Sequence, residues 1–145
     1  MGQQQLLLIV LGVIIVGIAI AVGLAVFRSE SQSSNRNNLI TDLERLASIA
    51  QVYYRKPSSM DGGGMNFMGF ALSPSDTGNA DGSFSLSLQP PNDADFKRGS
   101  ISPIGSPASK IYIIGCGKET GNDDVRAVKA YAMVTPDSVD ITKMN

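Results

Sequence analysis

The side chains that most often move protons or hold metals are scarce in this sequence. There is no histidine, and the single cysteine, Cys116, closes an apolar run. That setting suits a buried inert thiol, and one cysteine makes neither an intrachain disulfide nor a cysteine-based metal site. Without histidine a nucleophile–base pair must come from lysine or a carboxylate, and no such residues cluster along the chain. Gly62–Gly64 lacks the Lys-Ser/Thr of a phosphate loop and opens no helix, so it reads as a flexible hinge. Thr77-Gly-Asn79-Ala-Asp81-Gly82 has the alternating oxygens of a calcium loop. Leu88 stands where the bidentate acid belongs, and a solvated turn is the expectation. Asp93 and Asp95, and Asp123 with Asp124, read as loop caps. Phe27, Tyr53 and Tyr54 are aromatics on helical segments, expected to pack rather than to conduct. The chain is expected to have no catalytic residue, no metal and no cofactor, and not to be an enzyme.

The 12 basic and 13 acidic side chains are scattered singly, without a basic stripe, so nucleic acid is not an expected partner. What the sequence concentrates is apolar surface. From Leu6 to Phe27 no side chain is charged or strongly polar, a run of about 22 residues that spans roughly 33 Å as a helix and can cross a hydrocarbon core. Met1–Gln5 carries no Lys or Arg and the run exceeds a usual signal-peptide core, which favours a retained segment. Ala19-Ile-Ala21 is what a cleavage site would offer in the competing case. Gly17, Ala21 and Ala25 recur at a spacing of four, as do Ala19 and Gly23, and Gly12 adds another thin spot. A plain membrane anchor also carries glycines, but such stripes let helix backbones approach closely and favour association between helices.

Arg28 to Asn38 is polar throughout, and from Leu39 the helical period returns. Leu39, Ile40, Leu43, Leu46, Ile49, Ala50 and Tyr53 share one face, and Pro57 closes the segment. Thr41 with Glu44 matches a capping box that would start a separate helix near Asp42. One continuous helix from about Gln3 to Lys56 is the preferred alternative. Beyond Pro57 the pattern turns to strands: Asn66–Leu72, Ser83–Leu88 with Phe84, Leu86 and Leu88 alternating, Lys110–Cys116, Val125–Val134 and Ser138–Thr142. A Gly-rich turn is expected over Gly117–Asp124, and most of Gln89–Ser109 reads as loop. Serines at 73–88 and 100–109 offer sites for O-linked sugar. The fold class is therefore α+β, a long N-terminal helix packed against a small C-terminal antiparallel sheet. Residues 1–56 form the helix, with 6–27 as the membrane or filament-core segment and 39–56 as the amphipathic half, and 57–145 form a β-rich head.

An apolar N-terminal helix, its amphipathic extension and a small sheet behind it resemble the type IV pilins. The resemblance covers the architecture of essentially the whole chain and is weak in motif. Residues 2–27 (GQQQLLLIVLGVIIVGIAIAVGLAVF) look like the start of a mature pilin, and LERLASIAQVYYRKP looks like the family's inner helix. The chain departs from the bacterial pattern at Gln5, where a glutamate is usual, and in having no proline between Gly2 and Lys56. The resemblance implies a structural subunit of an extracellular helical filament, built from copies of itself. The subunit would sit in the inner or cytoplasmic membrane before assembly and be handled by pilus assembly machinery. Contacts between helices would fall on Gln3, Gln4, Gln5, Gly12, Gly17, Ala19, Ala21, Gly23 and Ala25. Leu39, Leu43, Leu46, Ile49, Ala50 and Tyr53 would form the core between helix and head. The competing expectations are a single-pass, membrane-anchored binding module and a minor pseudopilin of a secretion system.

Overall fold

A computed structural model describes residues 2–92, 102–121 and 127–144. Helix α1 runs unbroken from Gly2 to Arg55, 54 residues and about 80 Å at the rise of an α-helix. The continuous rod is thus the correct alternative, and the Thr41–Glu44 capping box starts nothing. Inside the helix the Thr41 hydroxyl instead donates to the Asn37 carbonyl four residues back, at 3.0 Å.

Four strands follow: β1 Gly82–Ser87, β2 Ile111–Thr120, β3 Ala127–Val134 and β4 Val139–Lys143. They pair antiparallel in sequence order, with Phe84 opposite Gly115, Ile113 opposite Ala132, and Ala132 opposite Ile141. Strand alternation sends Phe84, Ile111, Ile113, Val128, Ala130, Ala132 and Val134 into one core with Leu39, Leu43, Leu46, Ala47, Ala50 and Tyr54 of α1. The fold is the α+β arrangement expected.

The covered face of the helix is rotated from the one expected. Ile49 is 43 % exposed and Tyr53 only half-buried, while Ala47 and Tyr54 are buried. The steps 39, 43, 46/47, 50, 54 track the 3.6-residue period as well as the steps through Ile49 and Tyr53 do, so periodicity alone does not choose between them. The aromatic loop chooses: the Tyr54 ring packs at 4.8 Å from Phe67, and Tyr53 lies at the margin with its hydroxyl donating to the Met68 carbonyl.

Two other expectations are corrected. Asn66–Leu72 is not a strand. The Asn66 side-chain oxygen accepts from the amides of Met68 and Ala108, and the Phe70 amide donates to the Phe67 carbonyl. These bonds coil the segment so that Phe67 and Phe70 both reach the core. Gly62–Gly64 is no flexible hinge either. The amides of Gly63, Gly64 and Met65 donate to the carbonyls of Tyr53, Lys56 and Tyr54, satisfying the end of α1. A Cβ at Gly63 would stand 1.7 Å from the Asn66 carbonyl oxygen, so this close return needs glycine. Strand β2 continues to Thr120, four residues into the expected turn. The loop-cap readings of Asp93, Asp95, Asp123 and Asp124 lie outside the described residues, as does Val125.

Arg45 joins helix to head through Asp76, at 2.9 Å. The hydrogen bond from Ser73, together with Arg45, holds the Asp76 carboxyl below its ordinary value. A carboxyl so lowered adds stability that is complete above its unfolded pKa and is lost as pH falls through the folded one. Ser73→Ala is expected to bring Asp76 back toward the ordinary value of 3.8 and to flatten the acid limb of the stability profile below about pH 4. Thermal melts of both proteins between pH 2 and 7 read this, and superimposable acid limbs would remove Ser73 as the cause.

Candidate assembly and membrane helix

Among the described residues no group of three or more His, Cys, Asp or Glu is placed to hold a metal. The calcium-like stretch is a turn, and it is docked rather than free. The Asn79 side-chain oxygen accepts from the amides of Asp81 and Gly82, and its amide donates to Asp42 on the helix. Burial pushes the half-buried Cys116 thiol up, partly opposed by Lys129, which leaves it a poor nucleophile at neutral pH.

The unusual surface is the first half of α1. Every large apolar side chain from Leu6 to Phe27 is 49–72 % exposed, and of these Phe27 lines a groove with Glu119 and Thr120 of the head. This one helix is long and apolar enough to span a membrane. Gln3, Gln4 and Gln5 lie exposed at its start, and its first turn holds no acid to complement the helix dipole. The small residues fall on two sides of the rod. At about 100° per residue, Gly17, Ala21 and Ala25 share the side on which Leu39, Leu43 and Leu46 meet the sheet, whereas Gly12, Ala19 and Gly23 lie nearly opposite. A Cβ added at Gly12, Gly17 or Gly23 would meet nothing within 4 Å. Each glycine weakens the helix by about 1 kcal/mol relative to alanine and relieves no contact inside the chain.

The first side chain of the helix that the head buries is Asn35, which is 8 % exposed. Its amide donates to the Asp81 carbonyl at 2.8 Å, and its oxygen lies where a Cβ on Gly117 would have to go, 2.3 Å away. Asn38 adds an exposed bond to the Asp81 carboxylate. In sequence Asn35 lies within the stretch Arg28–Asn38, which is polar throughout. Its spacing of four from Leu39, which continues the buried stripe toward the rod, is the signal that would have found it. Asn35→Ala removes a donor to the Asp81 carbonyl, which keeps the longer 3.2 Å bond from the Lys118 amide, and is expected to cost about 1–2 kcal/mol, against under about 0.5 kcal/mol for Asn38→Ala. Melting the full chain in detergent micelles checks this, and equal losses would show that Asn35 is not the anchor.

Of the sites expected from sequence, Leu39, Leu43, Leu46 and Ala50 come together in the core, and Ile49 does not. Gln3–Gln5 and the small residues are all exposed along the apolar rod, and among the described residues nothing lies within 4 Å of a Cβ placed on Gly12, Gly17 or Gly23. No family model, curated protein or solved structure matches the chain.

Proposed function

We propose that this chain is a pilin-like structural subunit of an extracellular helical filament, working by binding copies of itself through its apolar rod. The observation that carries the proposal is the rod from Leu6 to Phe27, apolar yet uncovered, continuous with a half that is buried under a folded head. Such a helix needs either lipid or other helices around it. In lipid its apolar surface is already satisfied, so the drive to leave comes from close packing at small residues rather than from hydrophobicity. Three glycines that weaken the helix and serve no contact within the chain fit a role in that packing. The subunit would wait in the membrane before assembly and end on the cell surface, and the function assigned involves no reaction and no cofactor.

Electron microscopy of material sheared from cells, with mass spectrometry of the subunit's N-terminus, tests this. Fibres containing the chain are the expected result. Recovery only in the membrane fraction as single copies would replace the filament with a tethered binding module. Recovery only within a secretion complex would make it a minor pseudopilin.

A further inference from the structure

The stretch between rod and head, Arg28–Ser34, is helical and carries no apolar side chain. Most of it is exposed. The Gln32 side-chain amide lies 3.5 Å from the Thr120 hydroxyl, a long contact at the surface, and Asn35 is the first buried side chain above it. Four of the seven residues are serines, at 29, 31, 33 and 34. Each serine disfavours helix about twofold relative to alanine, so the four together weigh about twentyfold against the helical form. Their hydroxyls also offer the backbone local hydrogen bonds that compete with the helix.

The helix on either side of this segment is fixed by its surroundings. Above it, Leu39, Leu43 and Leu46 are fixed in the core, and Asn35 is pinned to Asp81. Below it lie Gly12, Gly17 and Gly23, poorer helix formers than serine. A rod in lipid or in a fibre core has no water to take its freed N–H and C=O groups, so those glycines stay helical. The weak point of the helix is therefore set by access to water rather than by propensity alone.

We infer that Arg28–Ser34 is a joint: helical in the resting chain, it opens reversibly to extended backbone and uncouples the direction of the head from that of the rod. Opening all seven residues raises the advance per residue from about 1.5 to about 3.3 Å and lengthens the molecule by about 12 Å. The inference rests on the proposed function only in that the rod lies in apolar surroundings; it holds for a tethered single copy as well as for a filament.

The test is amide hydrogen exchange on the full chain in phosphatidylcholine nanodiscs, where no fibre is needed. Amides of residues 28–34 are expected to exchange at least about tenfold faster than those of 12–26 and of 39–54. Replacing Ser29, Ser31, Ser33 and Ser34 together with alanine should slow the joint by about twentyfold and leave both flanks unchanged. As a second readout, spin labels at Phe27→Cys and Thr41→Cys, in a Cys116→Ser background, should give a broad distance distribution that the four-alanine variant narrows. Slow exchange at residues 28–34, opening at the glycines instead, or no response to the alanines would each overturn the joint. Absence of fibres from cells would remove the filament reading and leave this result standing.

Discussion

Leu46→Asp is expected to unfold the head. Leu46 is 1 % exposed and sits in the core that joins the helix to the sheet. A carboxylate there has no partner, and its burial costs more than about 4 kcal/mol, most of the stability of a domain this small. Leu46→Ala grades the same site, with an expected loss of about 2–5 kcal/mol from the cavity it leaves. Ile49→Asp makes the decisive comparison, because the helical period alone would rank Ile49 with Leu46 as a core residue. At 43 % exposure its replacement should shift the melting temperature by only a few degrees. Near-ultraviolet circular dichroism and trypsin resistance of the full chain in micelles report all three. An intact Leu46→Asp head, or an unfolded Ile49→Asp head, would mean that the helix lies on the sheet by another face.

Gly17→Leu should abolish assembly of the proposed filament while leaving the single chain as stable as before, or slightly more so. Nothing lies within 4 Å of the added Cβ, and leucine is the better helix former by nearly 1 kcal/mol. Membrane insertion also improves with leucine, so any loss must arise between molecules. A branched side chain at a close helix crossing holds the backbones apart and forfeits dispersion along the whole contact, which the expected tenfold or greater fall in fibre yield reflects. Ala21→Leu, one turn on along the same side, should behave alike, and Gly17→Ala should be tolerated. Fibre yield against membrane-bound subunit, measured on the same cells, separates the two steps. Normal fibres from both leucine variants would remove the packing role of these residues and favour a plain anchor.

The parts of the molecule that were legible beforehand are those whose signal is local. The uninterrupted apolar run of Leu6–Phe27 specifies a rod by composition alone. The 3.6-residue period from Leu39 carries that helix on to Arg55, and the alternation of Phe84 and Leu86 or the run Ile111–Ile114 marks strands. The candidate assembly residues were equally readable as types and spacings, and they stand exposed along the rod.

By itself the sequence determined the long helix, the polar break within it, the order of its later strands and the lack of histidine or paired cysteines for chemistry, since all of these follow from neighbours along the chain. Only the tertiary structure decided which side of the helix is covered. That choice turns on Phe67 packing with a tilted ring against Tyr54, a contact between residues that no period links. It also buried Asn35, one of a run of polar residues, as an anchor for the head, and turned the glycines at 62–64 from a hinge into a helix cap. In each case a polar group's role depends on which distant backbone atom comes within about 3 Å of it, and hydrogen bonds between remote segments leave no periodic mark on the sequence.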